Sequence, residues 1–532
     1  MNNLIDKTAD KQNEIEKQNT GDKQNAIYTD NSIGKENGIG TLAYSKNDII
    51  FALAMLVCGF LYWNLLRLPG LGAGVTLFAA ILCLCTVIYL KTGGVSQTRA
   101  SLVSFGVIVL SSLVFLLFDN IPIKLLNFLF LTVAYIYWIS ISTGRTLEKQ
   151  ISTYILGDFF NQVFIIPLGN FACCFGAVRT MIAGSQRGKS LVAAVLGLLL
   201  MIPVLAAVIN LLIKADAAFA GVIANLRFTI SLDILFQIIL GIPVACYLYG
   251  LVYGDRYGKN TGLVSIQSVD KVASAFRFAP GVTVYSALTA LNLVYIVFFL
   301  SQLTYLFSAF NNHLPELMTY AEYARRGFFE LCTVAAINLA VITAAHLIVR
   351  RDKIHVLRIE TTALCLFTLM LIITAISKMV MYINTYGLTQ LRVLTTWFMV
   401  LLFFIFAVTA ARQFKKFNAA RIMLLGFVGF FLALSYGNID GRIAAYNIDR
   451  YHSGTLESLD VKALSELSDA AVPYMYDLYQ KTTDQGLKAE LKAAIEKKPR
   501  EENMLPAPET FRNFNLQSYT AKNIRKLLLS FS

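Results

Sequence analysis

Apolar runs of about 20 residues recur from Asp48 to Gly437, separated by short polar stretches. Each run is long enough to cross the hydrocarbon core of a bilayer as a helix. A helix also satisfies its own backbone polar groups where no water can. The pattern predicts eleven apolar helices, at about 48–66, 72–91, 101–118, 121–142, 190–212, 232–253, 281–307, 329–350, 356–383, 391–411 and 420–437. The expected fold is therefore all-α, a polytopic transmembrane helix bundle over 47–438.

The flanks read differently. Residues 1–46 are rich in Asn, Lys, Asp, Gln and Gly and lack apolar periodicity, the pattern of a disordered tail. No basic stretch leads directly into an apolar core, so the first apolar helix acts as the insertion signal itself. Residues 439–532 are polar, with apolar positions at helical spacing in L-E-S-L-D-V-K-A-L-S-E-L and L-K-A-E-L-K-A-A-I-E-K-K. They predict a small helical domain. Its last helix, F-R-N-F-N-L-Q-S-Y-T-A-K-N-I-R-K-L-L-L, either packs back on that domain or lays its basic face on anionic lipid.

Composition supports the membrane reading: 56% of residues are hydrophobic and the mean hydropathy is +0.59. Charge adds an orientation. The net charge is +13, yet residues 1–46 carry −1 and residues 439–532 carry 0. The excess sits in loops between apolar runs, which is topology-setting charge and argues against a nucleic-acid partner.

One segment needs that charge to be placed. Phe159–Val178 is uncharged and long enough to span, but contains Asn161, Gln162, Pro167 and Asn170. If it lies at the interface, the 27 bases of the loops divide 19 against 8; if it spans, they divide 10 against 17 with the amino terminus still inside. The first division obeys the positive-inside bias. It makes 151–184 an interfacial or re-entrant element, the amino terminus cytoplasmic and residues 439–532 extracytoplasmic.

Three separated segments then deliver charge to the outer face. Glu322, Arg326 and Glu330 fall four apart, with Arg325 adjacent, in T-Y-A-E-Y-A-R-R-G-F-F-E-L. These charges either neutralise one another at a helix start or offer Arg325 and Arg326 to an anionic head group or solute. Lys378 lies inside the ninth apolar helix, where it either snorkels outward or pairs within the bundle. Arg392 follows in the next loop. Asp440 and Arg442 emerge from the eleventh helix, and Asp440 is in reach of Arg442, Arg326 or Lys378. Glu322, Arg325, Arg326, Lys378, Arg392, Asp440 and Arg442 thus form a hypothetical outer-face binding cluster.

Eight cysteines lie in apolar stretches and read as small core residues. No H-E-x-x-H or C-x-x-C spacing occurs, so neither metal nor cofactor is expected. Pro203 and Pro243 fall inside apolar helices, as in the broken helices of some transporters, but no internal repeat accompanies them.

T-Y-A-E-Y-A-R-R-G-F-F-E-L, Y-G-L-T-Q-L-R-V-L-T-T-W-F and N-I-D-G-R-I-A-A-Y-N-I-D-R-Y resemble a family of bacterial multi-pass proteins, the domain-of-unknown-function 4153/4173 group. The resemblance covers most of the chain after the tail. It implies a bacterial plasma membrane and supplies no reaction. The leading expectation is a non-enzymatic sensor or scaffold of the cell envelope, with a possible protein partner bound through 439–532. A transporter or flippase of a small or lipid-linked anionic solute is the alternative. A membrane enzyme on a lipid-linked substrate, using Asp440, Glu322 or Asp216 as carboxylates, ranks third.

Overall fold

The computed structural model describes residues 44–66, 70–148, 151–183, 207–216, 232–262, 264–310, 328–350, 354–496 and 510–530, with isolated positions at 197, 201, 204–205 and 219. The predicted tail, the span at 190–212, Pro203, and Glu322, Arg325 and Arg326 lie wholly or largely outside them. Among the described residues the chain is helical, and eleven helices are long and apolar enough to cross a membrane. It is a multi-pass, all-α membrane protein.

In the amino-terminal half, α1 (Lys46–Leu65), α2 (Ala73–Thr92), α3 (Arg99–Leu117) and α4 (Ile121–Thr143) form successive hairpins. Their boundaries follow local chemistry. Thr98 caps α3 and Asn120 caps α4 by accepting backbone N–H bonds from Ser101 and Ile123. Gly144, at φ +67°, ends α4 in the left-handed conformation that glycine adopts at least cost.

The next stretch is broken into α5 (Ile155–Phe160), a π-helical turn (Asn161–Ile165), α6 (Ile166–Gly169) and, after a turn, α7 (Cys173–Ala183). Then comes α8 (Leu232–Tyr257), antiparallel to α1. Asn64 bonds Gln237 at one end, and Tyr257 bonds Asp48 at the other. Between them Gly59 faces Gly241 so closely that a Cβ on either would meet the other's backbone. That contact fixes how near the two helices lie.

Sequence reasoning put the broken stretch at the interface, whereas by length and composition Ile155–Ile182 also qualifies as a span. Its contacts show how it runs. Gln162 bonds Asp255, and Asn170 bonds the carbonyl of Lys259. Asp255 lies in the last turn of α8 and Lys259 just past its end, while Tyr247, more than two turns earlier, donates to the carbonyl of Val163. The stretch therefore packs across the last three turns of α8.

Beyond α8 come the short α9 (Ile266–Ala275) and the long α10 (Gly281–Phe310), α11 (Phe328–Ile348), α12 (Ile354–Tyr386), α13 (Gln390–Phe414) and α14 (Ala419–Tyr436). Helices α10 to α13 share an apolar core around Leu364, Ile372, Met399 and Phe406. Its polar groups bond one another, with the Asn292 amide oxygen left buried without a partner. Tyr295 donates to Asn338, which donates to Thr368, and Asn292 donates to Glu360. Helix α14 returns to the first half, packing the Phe431 ring against Phe130 at 4.6 Å between centroids.

The carboxy-terminal helices are α15 (Ile439–His452), α16 (Val461–Ser465), α17 (Val472–Lys481), α18 (Gln485–Glu496) and α19 (Leu516–Ser530). Their core of Leu464, Met475, Leu491 and Ile495 is continuous with Ile123 of α4 and Leu434 of α14. Helix α19 packs back on it through Ala521 and Leu528. These helices form a cap over one end of the bundle. The end holding Asp48, Gly144 and Tyr257 is called the base.

Candidate functional site

Polar groups gather at the two ends of the bundle. At the cap end four interhelix turns meet the carboxy-terminal helices. Phe514 accepts the N–H of Ala73 after the first turn. In the second, Asp119 accepts from Asn515 at 3.2 Å and from the N–H of Asp469 at 3.4 Å, and pairs with Lys124 at 3.6 Å. Asn447 grips the third, accepting from the N–H of Leu388 and donating to its carbonyl. In the fourth, Asn438 accepts from Gln517 at 2.7 Å. Asn438 sits at φ +44°, a region asparagine tolerates better than most side chains.

Asp440 is the centre of this joint. Only 1% of it is exposed. One carboxylate oxygen accepts from Gln390 at 2.7 Å, the other from Asn120 at 2.9 Å and the N–H of Ser468 at 3.1 Å. The start of α4, the start of α13 and the cap are thereby tied to one side chain. A cavity of about 10 Å³ adjoins it, lined by Asn120, Ser435, Asn438, Asp440, Ser468 and Gln517. The hydroxyls of Ser435 and Ser468 are buried there without a hydrogen-bond partner, and the space is about that of one water. Nearby, Arg525 pairs with Asp469 at 2.6 Å. Burial, then the neighbouring Asp119, push the Asp469 carboxyl above its ordinary value, against the opposing pull of Arg525.

The residues singled out from sequence divide accordingly. Among the described residues Asp440 pairs with neither Arg442 nor Lys378; its partners are neutral amides, because the turns that pack around it present N–H groups. Arg442 is exposed. Arg392 donates to the carbonyls of Tyr386 and Gly387 at 3.0 and 2.6 Å and covers the Tyr382 ring at 4.1 Å, so it fastens the α12–α13 turn. Lys378 is half-buried about two turns below that end of α12. Sequence reasoning missed Asp119 and Lys124, which look like ordinary loop charges until the cap covers them.

The base end holds two further buried acids. Asp48 is fully engaged: Tyr89 and Tyr257 donate to it at 2.7 and 3.1 Å, and Arg256 lies 3.8 Å away, over the Tyr89 ring. Its neighbour on α8 differs. Asp255 has no exposure, and one of its oxygens accepts from Gln162 at 3.1 Å while the other has no partner. Arg145 reaches the same turn but gives its Nε to the backbone carbonyl of Asp255 at 3.0 Å. On the broken stretch, Asp158 accepts from the N–H of Leu147 at 2.8 Å with one oxygen only. The other oxygen of Asp158 and the amide oxygens of Asn161 and Gln162 are buried and unpartnered. The Tyr137 and Ser140 hydroxyls on the facing end of α4 are unpartnered as well. A sequence signal existed: the Asn-Gln pair inside an apolar stretch.

A bundle of membrane-length helices whose turns are bound at one end by a helical cap defines a polytopic, all-α membrane protein. Residues 105–478 match the family described as domain of unknown function 4153, and the chain belongs to that family. The match runs from within α3 to within α17, and so takes in most of the bundle and the first part of the cap. No curated protein and no solved structure matches the chain.

Proposed function

We propose that the protein is a non-enzymatic sensor or scaffold of the bacterial cell envelope, with its cap outside the plasma membrane and its amino terminus in the cytoplasm. The observation that carries this reading is the joint at Asp440 and Asp119. A domain that touches four interhelix turns through hydrogen bonds is built to share its state with the helices. The loop charge supports the orientation: with 151–184 re-entrant at the base, 19 of 27 loop bases fall on the cytoplasmic side. Two of the charges read as a binding cluster have structural partners that support this reading: Asp440 in the joint and Arg392 on the α12–α13 turn.

Transport of a small or lipid-linked anion is the second reading. The broken stretch with its π-helical turn favours it, since interrupted helices are where transporters bind solutes and ions.

The test begins with Glu457→Cys, an exposed cap position, in a background without native cysteines. Labelling on intact cells by a membrane-impermeant thiol reagent is expected; protection of that thiol would sink the orientation. Envelope partners should then cross-link to the whole protein and be lost from Asp440→Ala. Uptake of an anionic solute by reconstituted vesicles, abolished by Lys378→Ala, would establish the transport reading instead.

A further inference from the structure

The seam between α4, the broken stretch and the end of α8 collects six buried oxygens without hydrogen-bond partners: Tyr137 Oη, Ser140 Oγ, Asp158 Oδ2, Asn161 Oδ1, Gln162 Oε1 and Asp255 Oδ2. Tyr137 and Ser140 lie three apart on α4, one helical face. Asp158, Asn161 and Gln162 are spaced three and four apart on the broken stretch. Gln162 is bonded to Asp255, so the unpartnered oxygens of those two side chains belong to one linked pair.

Native interiors rarely leave such atoms unsatisfied, and each one invites an explanation. Four of the six atoms can only accept; the two hydroxyls can accept too. A water brings two donors and serves such a lining incompletely, and it leaves the carboxylate charges in place. Asp158 and Asp255 are 1% and 0% exposed, and neither forms an ion pair among the described residues. Burying a charge is costly unless it is compensated. The Arg145 guanidinium gives its Nε to the backbone carbonyl of Asp255 and forms no ion pair with the carboxylate. The π-helical turn that carries Asn161 and Gln162 is a departure from regular helix often found at functional sites.

We infer that this seam binds a hard monovalent cation, sodium or potassium, on Asp255, Gln162 and Asn161, with Asp158 bordering the site. Carboxylate and amide oxygens are the ligands hard cations take. A single charge is assigned because one carboxylate belongs to the linked pair and its companions are neutral. The site does not depend on the sensor reading, since it stands on base-end contacts alone.

The experiment is thermal unfolding of the purified full-length protein in detergent, titrated with sodium or potassium chloride against N-methylglucamine chloride at constant ionic strength. Hydrogen–deuterium exchange is followed in parallel over 155–170 and 250–260. A saturable, ion-selective rise in melting temperature is expected, with slowed exchange in those two segments. Asp255→Asn should abolish both responses. Gln162→Met should weaken half-saturation by roughly tenfold or more, the scale on which lost metal-site groups act. Equal behaviour in all three salts, a response to calcium or magnesium alone, or slowed exchange elsewhere in the chain would overturn the assignment. So would variants that respond like the parent, and the oxygens would then hold water only. If a variant does not fold, the wild-type exchange map decides.

Discussion

Asp440 and Asp255 are buried to the same degree at opposite ends of one bundle, and they are used differently. Asp440 meets three N–H donors from three segments, and both its oxygens are occupied. Asp255 accepts from Gln162 with one oxygen and has the Thr143 hydroxyl near its carboxyl, while its second oxygen has no well-formed hydrogen bond. A buried carboxylate that has filled its acceptor capacity fastens structure. One that has not retains capacity for something else, and five more unpartnered oxygens along its seam make the same point.

The largest effect that would break this comparison lies at the cap. Asp440→Ala leaves the amides of Asn120 and Gln390 and the N–H of Ser468 buried without an acceptor. Stranded donors cost 1–3 kcal/mol each before relaxation, so a loss of about 3 kcal/mol is expected in thermal unfolding. Limited trypsinolysis should release fragments of 439–530 sooner. A cap as resistant as the parent's would mean that the joint fastens nothing.

Next in size is Arg525→Ala, which strands Asp469 beside Asp119. Removing one partner of a largely buried pair is expensive, and about 2 kcal/mol is expected, with Arg525→Lys intermediate. Equal melting temperatures for all three proteins would remove the pair from the account.

Asp255→Asn sharpens the contrast because its sign differs. Asparagine keeps an oxygen for Gln162 and removes an uncompensated charge. In cation-free buffer stability should move by less than about 1 kcal/mol, and upward. A drop as large as that of Asp440→Ala would show that the two aspartates do the same job.

The smallest effect is a pH dependence at the joint. The folded protein holds the Asp469 proton more tightly than the unfolded chain does, because burial raises that carboxyl. Its contribution is full below the ordinary aspartate value and is lost as pH rises through the raised one. The stability gap between the parent and Asp469→Asn should thus be wider at pH 4 than at pH 7. A gap that narrows toward acid would reverse the sign.

Much of the fold was legible in the pattern of residues. Apolar length marked the helices, and Thr98, Asn120, Thr389 and Asn418 stand where side chains cap four of them. The site was legible in part. Asp440 and Arg392 stood out because charged groups beside membrane helices are few, but their partners did not. Gln390, Asn120 and Ser468 are unremarkable polar residues whose value comes from meeting one carboxylate. Asp255, in Y-G-D-R-Y at a helix end, reads as a loop charge, and nothing local says that α4 and the broken stretch cover it.

The sequence by itself determined that this chain is a bundle of membrane helices with a polar appendage, because hydropathy over 20 residues is a local quantity and the bilayer imposes its length. Only the tertiary structure decided which acids are satisfied. Hydrogen-bond satisfaction depends on groups hundreds of positions apart, 320 in the case of Asn120 and Asp440. Packing alone sets whether such groups arrive with a donor, as at the cap, or leave an oxygen unanswered, as at the base.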